Sequence, residues 1–277
     1  MDDLLYELAA LDMDGTLLNS RHETTAFTRE VLRRADEAGK VIALCTGRCL
    51  SELTEHLAAI PGIRYAICEN GGCVYDVAAG RVIRQVVIDR AAAERLLDLA
   101  EERDALVQCF FGGQSWIQLT DPALLARFHM AEFEGVFAAG SRFTGDVRRA
   151  WRDSGLPLEK LNLYFADGEE KRRYRRAVGQ ADLHFSDSLG IGYEISPGGA
   201  TKASGLEALC RHLGLHVARA MAVGDGANDV ELMRAAGLAV AMANAVEEVR
   251  RAADVVAGDC DHDGAARAVL KYLLGEG

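Results

Sequence analysis

The chain has 277 residues, 49% of them hydrophobic and 26% charged, with a formal net charge of −11 and a pI near 5.2. That length holds two modest domains or one large α/β domain, and four prolines with no low-complexity tract argue against disorder. The acidic balance disfavours nucleic acid or an anionic membrane surface as a main partner.

The N-terminal stretch MDDLLYELAA is acidic and lacks the basic segment of a leader, and no apolar run reaches the length of a membrane span. ELAAL (7–11) reads as a strand, 24–39 as a helix ending at Gly39, VIALC (41–45) as a strand, 51–59 as a short helix and RYAIC (64–68) as another strand. The far end repeats this alternation: helix 201–213, strand AMAV (220–223), helix 228–236, strand LAVAM (238–242), helix 245–252, strand ADVV (253–256) and helix 263–274. Near-continuous apolar strands between helices predict a parallel sheet covered on both faces.

The middle has another texture. RVIRQVVI (81–88), ALVQCFF (105–111), SWIQL (115–119), LEKLNLYFA (158–166), DLHFS (182–186) and IGYEIS (191–196) are more polar, and several alternate by twos. Helices are sparser, chiefly 90–103, 121–130 and 168–179. This predicts an antiparallel sheet with helices on one face. The EN-GG turn at 69–72 and the SPGG turn at 196–199 flank it. The expected fold is therefore α/β, a doubly wound, mostly parallel Rossmann-like core sheet formed by 1–79 plus 193–277, carrying an α+β insert at 80–192. The seven cysteines, at 45, 49, 68, 73, 109, 210 and 260, form no CxxC pair and read as buried small hydrophobes in a reducing cytoplasm. The aromatics Phe110, Phe111, Trp116 and Tyr164 read as core of the insert, and the histidines show no metal-ligand spacing.

Chemistry concentrates where apolar strands stop. Asp12 and Asp14 end the first strand, Thr46 follows the second in CTGR, Lys202 opens a helix after SPGGAT, and Asp225 follows the AMAV strand in AVGDGANDVEL. The ligand crevice of an open α/β sheet lies at these carboxyl ends. Two acids closing a buried strand need a cation or a proton to offset their desolvation. Each residue also has a plain structural reading. Asp225 and Asp229 suit a helix N-terminus, Thr46 suits a strand end, and Lys202 suits the surface. Arg48 either reaches a substrate anion or begins a helix, and Asn70 with Gly71 and Gly72 reads as a turn with positive φ at the glycines.

In this order, DMDGTLL, CTGR, SPGGATK and GDGANDVELM resemble the motifs of the haloacid dehalogenase superfamily of phosphotransferases. The EN-GG turn, the placement of the insert and AMANAVEEVRRAAD followed by DGAA are similar to the Cof-type sugar-phosphatase branch, in which the insert is a cap closing over the site. The resemblance implies a Mg²⁺-dependent phosphatase acting on small phosphorylated metabolites, sugar phosphates first. It makes Asp12 the nucleophile and Asp14 the acid and base. The Asp12 side chain, the Asp14 carbonyl and Asp225 become metal ligands, with Asp229 behind them. Thr46 and Lys202 then serve the phosphoryl group, and Thr46, Gly47, Arg48, Asn70 and Asn228 are the candidate substrate contacts. A cytoplasmic monomer or weak homodimer is expected, with no nucleic acid or membrane partner. A phosphomutase would use the same residues, and a non-catalytic phospho-ligand-binding regulator would need neither nucleophile nor acid. Two departures from the pattern stand out. Ala243 replaces a common glycine in MANA, and Asp261-His262 stand before DGAA where asparagine is more usual.

Overall fold

The computed structural model describes residues 6–180, 182–188 and 190–276. Residues 1–5 of the acidic stretch read above for a leader lie outside the described residues. In chain order the strands are β1 (Leu8–Leu11), β2 (Val41–Cys45), β3 (Ile63–Cys68), β4 (Cys73–Asp76), β5 (Arg81–Gln85), β6 (Leu106–Phe111), β7 (Gln114–Gln118), β8 (Ser141–Thr144), β9 (Lys160–Tyr164), β10 (Leu183–Ser188), β11 (Gly192–Pro197), β12 (Ala220–Gly224), β13 (Leu238–Ala241) and β14 (Val255–Val256). The helices are α1 (Ala26–Glu37), α2 (Thr54–Ala59), α3 (Arg90–Glu101), α4 (Glu134–Gly140), α5 (Val147–Ser154), α6 (Gly168–Val178), α7 (Lys202–Leu213), α8 (Val230–Ala235), α9 (Glu247–Ala252) and α10 (Gly264–Ala268). Among the described residues no helix is long and apolar enough to cross a membrane.

The chain divides into two compact units. The first takes the chain up to Arg48, Thr54–Gln85 and the chain from Thr201. Its sheet has the order β14-β13-β12-β1-β2-β3-β4-β5, parallel from β14 to β3 and antiparallel across β3, β4 and β5. Every residue of β1 is fully buried, as a central parallel strand covered on both faces requires. Each leucine buried there contributes about 1.5–3 kcal/mol. Helix α1 packs against α10, while α8 packs against both α7 and α9, giving the two helical layers of a doubly wound fold. Register then does the functional work. Leu11 lies opposite Val223 on one side and Leu44 on the other, so β1, β12 and β2 end level with one another.

The second unit takes Cys49–Leu53 and Val86–Ala200. Its sheet has the order β10-β11-β9-β6-β7-β8 and is antiparallel except for the parallel β7–β8 pair. Period-two alternation sorts its side chains. Val107, Cys109, Phe111, Leu161 and Leu163 join a core with Leu96 and Leu97 of α3, Trp151 of α5 and Tyr174 of α6. Leu106 and Tyr164, next to them in sequence, fall into a separate cluster with Leu125, Phe128 and Phe137.

Several expectations are corrected. Arg81–Gln85 was expected in the inserted sheet but pairs with β4 in the core sheet. The expected boundary at 79/80 therefore falls before β5, and that at 192/193 falls inside β11. Helices were expected on one face of the inserted sheet, yet Phe137 of α4 packs on the face opposite α3, α5 and α6. The expected helix at 121–130 is a 3₁₀ stretch, Pro122–Phe128, started by the Asp121 cap and ended by His129 at φ 57°. The expected helix at 51–59 opens as a 3₁₀ turn at Leu50–Leu53, and 263–274 changes from α to π at Val269. Phe110, Phe111 and Tyr164 are buried as expected and Trp116 is half-buried.

Candidate active site

Asp12 follows β1, Thr46 follows β2 and Asp225 follows β12, so the level strand ends bring them to one edge of the sheet. Lys202 arrives from another direction, as the first residue of α7. Thr201 caps that helix by accepting from the Ser204 N–H at 3.1 Å, and the Ser204 side chain returns the contact. A lysine in the first turn of a helix opposes the helix dipole. Two carboxylates offset this: the Lys202 ammonium donates to Asp12 Oδ1 at 2.6 Å and to Asp229 Oδ1 at 2.7 Å. Lys202 and Asp229 are completely buried and Asp12 nearly so. Burial alone would push the Lys202 ammonium down, but Asp12 and Asp229 outweigh it and raise it well above its usual range. Burial pushes the Asp12 carboxyl up, with Lys202 pulling it back and Asp229 adding repulsion. Asp225 is also raised, again by burial first.

Asp12, Asp225 and Asp229 each offer an oxygen within 4.8 Å of the others. With every carboxylate ionised, three against one ammonium would leave two negative charges over, and burial resists that charge at Asp12 and Asp225. Hard oxygen donors with that surplus fit a divalent cation such as Mg²⁺. The oxygens of Asp229 have other duties. Oδ1 accepts from Lys202, and Oδ2 accepts from the N–H groups of Asp225 and Gly226, each at 3.0 Å. Asp229 therefore holds Lys202 and the β12 loop in place. Gly15, at φ 76°, admits this packing, because a Cβ there would lie 2.5 Å from the Asp225 carboxylate.

The other expected residues gather around this cluster. The Thr46 hydroxyl accepts from the Arg48 N–H at 3.2 Å, and the Thr46 carbonyl accepts from the Asn70 N–H at 3.0 Å. Gly47 lies against the Asn70 side chain, where a Cβ would approach to 3.3 Å. Asn228 donates to Asn70 Oδ1 at 2.9 Å. Asp14 stands apart from the buried cluster. Its carboxylate is gripped by both arms of the Arg48 guanidinium, and the His22 ring lies 3.7 Å away. Positive φ in the 69–72 turn was expected at both glycines. It occurs at Glu69, Asn70 and Gly71, while Gly72 is helical at φ −62°.

Sequence reasoning missed two residues that serve Asp225. The Thr16 hydroxyl donates to Asp225 Oδ1 at 2.9 Å. Asn244 donates to the Gly15 carbonyl at 2.7 Å and to Asp225 Oδ2 at 3.4 Å, and its own Oδ1 accepts from the Cys260 N–H at 3.1 Å. Thr16 stood in plain view inside DGT, but Asn244 carries no charge or periodic signal. Asp261, noted as a departure, accepts from the Ser20 N–H at 2.9 Å on the loop after DMDGTLL.

The family model of haloacid dehalogenase-like hydrolases matches residues 9–269. The chain belongs to that family. Relatives in the family include a phosphatase of Bacillus subtilis, YwpJ, 28% identical over 97% of this chain and 100% of its own. An HMP-PP phosphatase of Serratia proteamaculans is 30% identical over 97% of this chain and 96% of its own. A solved haloacid dehalogenase-like hydrolase from Bacteroides thetaiotaomicron superposes with a TM-score of 0.84 at 26% identity, covering 96% of this chain and 99% of that one. Like these family members the chain is an enzyme, a phosphatase of the Cof type, with the doubly wound core and inserted α+β unit of the haloacid dehalogenase-like fold.

Proposed function

We propose that the chain hydrolyses small phosphorylated metabolites, sugar phosphates first, through an aspartyl-phosphate on Asp12 and with Mg²⁺ as cofactor. The observation that carries this reading is the Asp12–Lys202–Asp229–Asp225 cluster at the strand ends, three carboxylates around one ammonium, with a further carboxylate, Asp14, held by a separate partner. The phosphatase names of the relatives support the substrate class.

Unaided phosphate monoester hydrolysis is so slow that rate enhancements reach about 10²¹-fold. Most of that comes from placing charge around the phosphoryl oxygens. Asp12, Asp225 and the Asp14 carbonyl would hold Mg²⁺, which supplies positive charge between an anionic nucleophile and an anionic phosphate. Asp12 Oδ attacks phosphorus and the bond to the leaving oxygen breaks, while Asp14 gives that oxygen its proton. In the second half Asp14 takes a proton from water, the water oxygen bonds phosphorus, and the bond to Asp12 breaks. Lys202 offsets charge on the nucleophile and the phosphoryl group together. Thr46 supplies a hydroxyl donor, and Gly47, Asn70 and Asn228 line the substrate side. By the family resemblance the inserted unit is the cap that chooses among substrates. The buried cysteines support a reducing, cytoplasmic setting.

The test is phosphate release from a panel of sugar phosphates, nucleotides and an aryl phosphate, with Mg²⁺ and with EDTA, for wild type and Asp12→Asn. Release that needs Mg²⁺ and is lost in Asp12→Asn is expected. Binding without release would favour a regulator, and phosphate recovered on a second sugar would favour a mutase.

A further inference from the structure

Arg48 closes the CTGR segment, and the plain expectations for it were a contact to a substrate anion or the start of a helix. Its side chain meets a carboxylate of the chain itself. Nε donates to Asp14 Oδ2 at 2.9 Å and Nη2 donates to Asp14 Oδ1 at 2.6 Å. The Arg48 backbone is itself held, its N–H by the Thr46 hydroxyl at 3.2 Å and its carbonyl by the Glu69 N–H at 3.0 Å. Asp14, in contrast, has a side chain 43% exposed, and the His22 ring, 73% exposed, lies 3.7 Å away. A single hydrogen bond leaves a carboxylate free to turn about its own axis. Two parallel bonds from a planar fork set its plane.

We infer that Arg48 is a positioning residue for Asp14, setting the orientation of the carboxyl group that moves protons, and that it is not chiefly an anchor for the substrate. The inference rests on the phosphatase reading above. In that reading Asp14 acts twice, giving a proton to the leaving oxygen as the P–O bond breaks, then taking one from the water that displaces Asp12. Both transfers need an Asp14 oxygen aimed along the line of the reaction, and misplacement by about 1 Å can cost on the order of 100-fold. An aryl phosphate separates the two steps. Nitrophenolate leaves without a proton, so the first step no longer depends on Asp14 while the second still does.

The experiment compares wild type with Arg48→Ala and Arg48→Lys on a sugar phosphate in the steady state and on p-nitrophenyl phosphate in rapid mixing, all with Mg²⁺. Lysine keeps the charge and loses the fork, and circular dichroism confirms that each variant is folded. On the sugar phosphate, kcat should fall about 100-fold in both variants, with KM changed by no more than about threefold. On the aryl phosphate both variants should give a burst near one nitrophenolate per enzyme, then a slow phase, because only hydrolysis of the Asp12 ester is hindered. A rise in KM with kcat retained would overturn the inference and make Arg48 a substrate anchor. Full kcat in Arg48→Lys would overturn it too, since charge alone would then suffice. A wild type that releases no phosphate from any ester overturns the phosphatase reading, and this inference falls with it.

Discussion

At the scale of single residues the site is a problem of charge balance. Among the described residues, Lys202 is the one cation paired with this group of three carboxylates, and it has no exposed surface to share the work with water. Removing one partner from such a buried group costs about 3–5 kcal/mol, because the others stay charged or must take up protons. Lys202→Ala should therefore lower the unfolding free energy from urea titration by about that much, seen as a lower midpoint, as well as stop turnover. A midpoint within experimental error of wild type would show that the buried carboxylates do not depend on this ammonium. The same surplus of negative charge predicts a cation effect. Mg²⁺ should raise the melting temperature of wild type, by the mass action of a ligand that binds only the folded state, and should fail to do so for Asp225→Asn. Asp12, Thr46, Lys202 and Asp225 were legible in the sequence because each interrupts an apolar run or opens a helix. Asn244 was not. A neutral amide acquires its meaning from the two oxygens it meets, and those belong to residues that lie 229 and 19 positions away along the chain.

At the scale of elements, one tight fit and one ion-pair group contribute to stability. Gly71, at φ 96°, sits where a Cβ would lie 1.9 Å from the Thr201 carbonyl, so the turn after β3 touches the start of α7 backbone to backbone. Gly71→Ala adds a left-handed conformation to that clash. It should cost about 1–3 kcal/mol from the backbone strain alone, more with the clash, and should disturb Lys202 one residue further on. Denaturant titration against a surface control such as Gly155→Ala, where nothing lies within 4 Å, isolates the clash from the cost of φ. In the inserted unit, Glu94 of α3 accepts from Arg148 and Arg152 of α5. The Arg152 hydrogen bonds, against the opposing effect of burial and with help from Arg148, hold the Glu94 carboxyl at about 2, down from its ordinary 4.5. A depressed carboxyl stabilises the fold above its unfolded value, and that contribution is lost as pH falls from 4.5 towards 2. Solvent screening leaves it near 1 kcal/mol. Glu94→Gln should flatten the fall in stability across this window, while an unchanged acid slope would show the pair to be worth nothing. The elements that sequence patterning missed are short. SRFT of β8 has two alternations, and α5 shows only Val147 and Trp151 to a core, too few positions for either period to register.

At the scale of the whole chain, each unit owns a sheet, and the inserted one has its own two apolar clusters. All members of those clusters lie between Ile88 and Ile195. An excised segment 86–200 should therefore melt as a cooperative unit, followed by circular dichroism. A broad, sloping transition would mean that it depends on the rest of the chain. The division also explains where the expected boundaries slipped. RVIRQ is polar enough to read as part of the insert, yet it extends the core sheet as an exposed edge strand, and an edge strand with one solvated face alternates just as an antiparallel strand does.

The sequence by itself determined the alternation of buried strands and helices, the discontinuous core, and the acids, threonine and lysine at its strand ends. Those signals are local: an apolar run shows its own length, and a charge that interrupts it shows in place. Only the tertiary structure decided that Asp229 holds Lys202 and a loop, that Asn244 and Thr16 serve Asp225, that the Arg48 fork grips Asp14, and that β5 joins the core sheet. Most of these contacts join segments far apart in the chain, which pattern along the sequence does not reveal, while β5 pairs with its chain neighbour β4 and needed the observed register to be placed.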